Sequence, residues 1–165
     1  MSQQQRIYMT PGCAKRLRAE LKKLLYTDRP TLAKAARIAA EEGDRSENYE
    51  YQATKRAMRK MDGRIHFLTK RIESLEVVDP VKQGNIANGR VLFGATVTVE
   101  DEEGEEKVYS IVGIDEYDGG KGKVSWVSPI GKALLGRSEG DSVSFVTPGG
   151  VSELEIVKVE YTAID

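Results

Sequence analysis

Residues 58–75 read Met58-Arg59-Lys60-Met61-Asp62-Gly63-Arg64-Ile65-His66-Phe67-Leu68-Thr69-Lys70-Arg71-Ile72-Glu73-Ser74-Leu75. Apolar residues fall at Met58, Met61, Ile65, Leu68, Ile72 and Leu75, with spacings of 3, 4, 3, 4 and 3. This is the seam of a coiled coil, because residues three and four apart line one side of a helix. Continued backwards, the stripe takes in Thr54 and Tyr51 and predicts a helix from about Glu47 to Glu76. Its partner stripe lies upstream, at Leu17, Leu21 and Leu24 and then, after a shift in phase, at Leu32, Ala35 or Ala36, and Ala39. The small residues of this second group predict a closer approach of the two helices there.

Two residues punctuate the upstream helix. Pro30 lacks an amide hydrogen and crowds the preceding turn, so it is expected to kink the helix or to start a new segment. Gly43 is expected to end it, as the residue that most readily takes the left-handed position beyond a helix. The connection that follows is too short for any arrangement but an antiparallel hairpin. With about 30 residues per arm at roughly 1.5 Å each, the hairpin is expected to reach about 45 Å.

Beyond Asp79-Pro80 the pattern changes. Gly84-Asn85 and Asn88-Gly89 read as turns, after which Val91, Phe93, Ala95, Val97 and Val99 alternate as one face of a strand. Further strands are expected over Val108 to Ile114, Lys123 to Val127, Ser142 to Thr147 and Val151 to Tyr161, the last two joined through Pro148-Gly149-Gly150. Ser128-Pro129 has the form of a helix N-cap followed by proline in the first turn, and Gly136 closes that short helix. The expected fold class is α+β, with an antiparallel coiled-coil hairpin over residues 1–79 and a small antiparallel sheet with one short helix over residues 80–165.

Composition agrees with two parts. Charged residues make up 31% of the 165-residue chain and aromatics 7%, which suits a solvated helix pair more than a compact enzyme. The net charge of −1 conceals +6 over residues 1–81 (17 Lys and Arg against 11 Asp and Glu) and −7 over residues 82–165 (8 against 15). Cys13 is the only cysteine, so no internal disulfide or CxxC metal site is available. With no apolar run of membrane-spanning length and no apolar core near the N-terminus, a cytoplasmic protein is expected.

The bend between the helices, Gly43-Asp44-Arg45-Ser46-Glu47-Asn48, concentrates carboxylates. Asp44 and Glu47 have the spacing of a capping box, and acids at a helix N-terminus gain about 0.3–1 kcal/mol each from its dipole, so spacing alone favours a structural role. Glu41 and Glu42 have no such explanation, because they occupy the partly negative C-terminal end of the preceding helix. Paired carboxylates also suit a divalent metal, yet Mg²⁺ takes about six oxygen ligands and this bend cannot supply them, so any metal would be shared with a host.

GDRSENYEY at 43–51, DRP at 28–30, KRAMRKMDGRIHFLTKRIESLEVVD at 55–79 and WVSPIGKALLGRSEGDSVSFVTP at 126–148 resemble the Gre transcript cleavage factors of bacterial RNA polymerase. The resemblance covers nearly the whole chain, and the strongly basic second helix looks more like the GreB branch than the GreA branch. It implies an FKBP-like globular domain, and a hairpin that enters the secondary channel of a backtracked polymerase and stimulates Mg²⁺-dependent cleavage of the nascent RNA 3′ end. Matched residue by residue, Asp44 and Glu47 would assist the shared metal and its water, while Gly43, Ser46 and Asn48 shape the tip. Tyr49 stands where the family usually has Ala. The resemblance further implies that Lys55, Arg56, Arg59 and Lys60 lie near RNA, and that Ser128, Pro129 and Ile130 contact the rim of the polymerase channel. No metal would be held stably by the protein alone, and a monomer is expected when free. Two other readings remain open: a channel-binding inhibitor, and a coiled coil that binds nucleic acid without polymerase.

Other residues have simpler readings. His66 has no His or Cys partner for zinc and is expected to be solvated. Trp126 is expected in the core, and Phe67 occupies an outward heptad position. The run Lys55 to Arg71 contains only one acid, Asp62. A face of one sign forfeits the intrahelical ion pairs of a mixed one, and phosphate neutralisation is the usual use of such a cluster.

Overall fold

The computed structural model describes residues 6–42 and 49–165. It divides into two compact units, Lys15–Ser74 and a second made of the residues up to Ala14 together with Leu75–Asp165.

In the helical unit the first arm comprises α1 (Pro11–Lys23), whose first turn lies in the other unit, and α2 (Arg29–Glu41). Between them Leu24–Asp28 forms a π-turn, in which the Arg29 amide donates to the Leu24 carbonyl five residues back. Pro30, in the first turn of α2, has no amide to give an ordinary α-helical bond, and the wider turn accommodates that loss. A π-turn also adds one residue to the helical repeat. This accounts for the phase shift in the apolar stripe between Leu24 and Leu32, and it places Ala36 rather than Ala35 in the buried row with Ala39.

The second arm, α3 (Tyr49–Glu73), keeps Tyr51, Thr54, Met58, Met61, Ile65, Leu68 and Ile72 wholly or partly buried, as its seam requires. The arms are antiparallel. Arg29 pairs with Asp62, and nearer the bend Ala35, Ile38 and Ala39 share a groove with Glu50, Ala53 and Thr54.

Leu75 does not continue the helix. It opens strand β2 (Leu75–Val77), which pairs in parallel with β1 (Ile7–Met9) in the register Ile7 with Leu75 and Met9 with Val77. This pairing explains why the division departs from the expected boundary between residues 79 and 80: the N-terminal strand belongs with the C-terminal unit.

The sheet of that unit is mixed, with strand order β5-β4-β3-β7-β6. Its strands are β3 (Thr96–Asp101), β4 (Glu106–Val112), β5 (Lys123–Ser125), β6 (Ser142–Thr147) and β7 (Gly150–Glu160). The expectation of an all-antiparallel sheet is corrected at β5, which lies parallel to β4 because residues 113–122 carry the chain back before it pairs. Val97, Val99, Ile111, Val143, Leu154 and Ile156 form the apolar face, joined by Leu134 of α5 (Pro129–Leu134).

Two further expectations are corrected. The turn-rich segment after Asp79 contains a second short helix, α4 (Pro80–Ala87), capped by Asp79 Oδ1 accepting from the Val81 amide at 3.0 Å. Gly84 is needed there because a Cβ would lie 2.8 Å from Tyr161 Cβ. Nor is Val91 to Val99 one strand. Val91 and Ala95 are fully buried as the alternation required, but β3 begins only at Thr96. The preceding backbone is held instead by the Tyr161 hydroxyl, which accepts from the Leu92 amide at 2.8 Å and donates to the Arg90 carbonyl. Burial raises the Tyr161 pKa above its ordinary value.

Candidate functional site

The bend residues Gly43, Asp44, Ser46, Glu47 and Asn48 lie outside the described residues. α2 ends at Glu41 and α3 begins at Tyr49, so a short acidic segment joins adjacent ends of two antiparallel helices.

Along α3 the long basic run separates into two parts. Lys55, Arg56, Arg59 and Lys60 are all exposed, and among the described residues none forms an ion pair. Farther along, Arg64 makes a two-pronged bond to Glu20 at 2.7 and 3.0 Å, and Lys70 lies 3.5 Å from Glu73. Arg64 and Arg71 also flank the Phe67 ring, at 5.2 and 4.9 Å from its centroid. Phe67 is thus flanked by cations of its own helix, while Lys55 lies 5.9 Å from the Tyr51 ring centroid on an earlier turn. His66 is exposed. Among the described residues no three His, Cys, Asp or Glu side chains gather as a metal site, and no helix is long and apolar enough to cross a membrane.

Two forks hold the arms together. Arg29 grips Asp62 at 2.7 and 3.2 Å, and Arg64 grips Glu20. Each guanidinium lowers its partner's carboxyl pKa through hydrogen bonding, Asp62 below 3.8 and Glu20 below 4.5. Because the folded pKa lies below the unfolded one, this stabilisation is present in full above about pH 4.5 and is lost as pH falls through the depressed values. The pairs are exposed, so salt screens them. In thermal melts followed by helical circular dichroism, Glu20→Gln/Asp62→Asn is expected to show a smaller loss of melting temperature on acidification than the unsubstituted protein. Superimposable acid profiles would show that the forks contribute nothing.

In the globular unit Ser128 Oγ accepts from the Gly131 amide at 3.1 Å and donates to the Ser125 carbonyl at 2.6 Å, so the helix start read from Ser128-Pro129 is present. Pro129 is exposed, whereas Ile130 packs partly against the core. The three residues assigned to one contact therefore differ in role: a cap, an outward apolar ring and a support beneath it. Gly131 permits the tight turn, since a Cβ there would lie 2.2 Å from the Ser125 carbonyl oxygen. Trp126 is half-buried, with its ring edge-on to Tyr8 at 5.5 Å.

One residue carried no signal in the sequence. Glu116, read simply as part of an acidic half, is 6% exposed. It accepts from the amides of Thr10 at 3.1 Å and Gly113 at 2.9 Å and from the Thr10 hydroxyl.

Family models match both parts of the chain, "Transcription elongation factor, N-terminal" over residues 7–77 and "Transcription elongation factor, GreA/GreB, C-term" over residues 86–161. The chain belongs to the GreA/GreB family of transcription elongation factors. A GreB of Neisseria meningitidis serogroup B is 45% identical over 165 residues, covering 100% of both chains. A GreA of an Anaeromyxobacter species is 46% identical over 158 residues, covering 95% of this chain and 93% of its own. Identity therefore does not separate the two branches. The solved structure of a GreA/GreB factor from Nitrosomonas europaea aligns with 26% identity and a TM-score of 0.42, covering 94% of this chain and 100% of that one. In this GreA/GreB family protein, Lys55, Arg56, Arg59 and Lys60 lie in the N-terminal half of α3, and Ser128, Pro129 and Ile130 lie at the start of α5.

Proposed function

We propose that this transcription elongation factor works on bacterial RNA polymerase as a cofactor, entering its secondary channel and stimulating cleavage of backtracked nascent RNA by the polymerase active site. The observation that supports the reading is the antiparallel α2–α3 pair, whose adjacent ends are joined by the acidic sequence 43–48, with Lys55, Arg56, Arg59 and Lys60 exposed along α3.

Asp44 and Glu47 supply two anionic oxygen donors of the kind Mg²⁺ takes, leaving about four of its roughly six positions to the polymerase and water. Held there, the ion would supply an activated water able to act as a nucleophile at neutral pH. The division of ligands is why the protein needs a host: the bend cannot supply the roughly six oxygen ligands that Mg²⁺ takes, and the motif holds no Ser/His/Asp or Cys/His nucleophilic set. Gly43, Ser46 and Asn48 shape the bend, and Lys55, Arg56, Arg59 and Lys60 attract the phosphates of the displaced 3′ segment. The concentration of positive charge on α3 favours the GreB branch. The globular unit, taken as FKBP-like, presents the Pro129 ring to the channel rim from a rigid, capped turn. The protein acts as a monomer in the cytoplasm, where the polymerase works.

The test is release of short 3′ RNA fragments from stalled, backtracked polymerase in Mg²⁺. Release is expected only when protein and polymerase are both present. No release would overturn the cleavage reading in favour of a channel-binding inhibitor, and release from RNA without polymerase would overturn the cofactor reading. Pro129→Ala is expected to weaken polymerase binding about tenfold, the cost of one apolar anchor of modest strength. A competition titration with unchanged affinity would remove Pro129 from the interface.

A further inference from the structure

Tyr49, the first residue of α3, is 88% exposed, the highest value among the large hydrophobic side chains described. Among the described residues its ring makes no aromatic or cation contact. Its place on the helix is informative. At about 100° per residue, Arg56 and Lys60 return to within roughly 20° of Tyr49, two and three turns on, while Met58 of the seam points about half a turn away. Tyr49, Arg56 and Lys60 therefore form one row facing away from the partner helix, with only the small exposed Ala53 between the ring and the first cation. Arg56 and Lys60 repel each other at this spacing, and Asp62, the nearest acid downstream, is held by Arg29.

An exposed ring leading into cations along one face combines the two elements that hold single-stranded nucleic acid: a flat surface for a base and positive charge for the backbone. We infer that Tyr49 is a stacking platform for an unpaired base of the displaced RNA 3′ segment, with Arg56 and Lys60 receiving phosphates along the same row. The inference rests on the proposed function and deepens it, since it names the contact that orients the RNA beside the acidic bend. Stacking uses the π-face common to all bases, so the platform tolerates any 3′ sequence.

The test compares Tyr49→Ala and Tyr49→Phe on backtracked polymerase at saturating protein. Ala is the better helix former, so the first variant does not weaken α3. Tyr49→Ala is expected to slow fragment release about 5- to 150-fold, the range spanned by loss of one base–aromatic stack. Tyr49→Phe is expected to stay within about twofold of the unsubstituted protein, because the ring and not the hydroxyl is used. Binding to polymerase that is not backtracked is expected to be unchanged in both. A photoactivatable thiouridine at the RNA 3′ end is expected to crosslink to residue 49 in the unsubstituted protein and not in Tyr49→Ala. Equal release by Tyr49→Ala, or thiouridine crosslinks to polymerase alone and none to residue 49, would overturn the inference. If the unsubstituted protein crosslinks to RNA but releases no fragments, the cleavage function fails while the stacking contact stands.

Discussion

Asp44→Asn/Glu47→Gln is expected to reduce 3′ fragment release at least 100-fold while polymerase binding stays within about twofold. The magnitude follows from the several kcal/mol that a metal-held, activated water contributes, each 1.4 kcal/mol or so being a factor of ten in rate. The substitutions are chosen because they separate the two roles that spacing allows. Asn caps a helix about as well as Asp, and Gln serves the reciprocal position of a capping box as Glu does, so a purely structural role would survive both changes. What the amides cannot supply is anionic oxygen for a hard cation. Single-turnover rates across a range of Mg²⁺ concentrations provide the check. The single variants are expected to fall nearly as far as the double one, because groups sharing one ion act as a unit and their losses do not add. Retention of release by the double variant would return both residues to capping.

Glu116→Ala is expected to destabilise the globular unit by about 3 kcal/mol. Removing the carboxylate leaves the Thr10 and Gly113 amides without an acceptor, and an unsatisfied buried donor costs about 1–3 kcal/mol. Solvent cannot readily replace the acceptor. The turn is tight enough that a Cβ at Gly113 would lie 2.4 Å from the Tyr8 carbonyl oxygen. Trp126, the only tryptophan, packs against Tyr8 in the same unit, so urea unfolding followed by its fluorescence reports on this region. The expected result is a lower midpoint with an unchanged denaturant slope. A loss below about 1 kcal/mol would mean that water takes over the hydrogen bonds.

The parts of the fold that were legible in the sequence are those whose cause is local. Seven-residue recurrence from Tyr51 to Ile72 identified the seam of α3, and Ser128-Pro129 identified the start of α5, because both depend on residues within a turn or two of each other. The same N-cap and proline signature at Asp79-Pro80 was outweighed by Gly84 and Asn85, which are poor helix formers in isolation. Gly84 sits in α4 because Tyr161 fills the space a side chain would take, a contact with a residue 77 positions away. The basic row of α3 was likewise visible as composition. That Arg64 is the member bonded to Glu20 depends on the antiparallel register of the arms.

An antiparallel helical hairpin, an acidic segment between its arms, a sheet-containing unit after it and the motifs shared with GreA/GreB factors were all readable from residue order alone. The three-dimensional fold was needed to show that residues 7–14 belong with the C-terminal unit, that β5 runs parallel to β4, and that Glu116 is buried against Thr10. The physical reason is range. Heptads, caps and turns act through neighbours along the chain, whereas the β1–β2 ladder and the Thr10–Glu116 bonds join residues 68 and 106 positions apart, which no local pattern encodes.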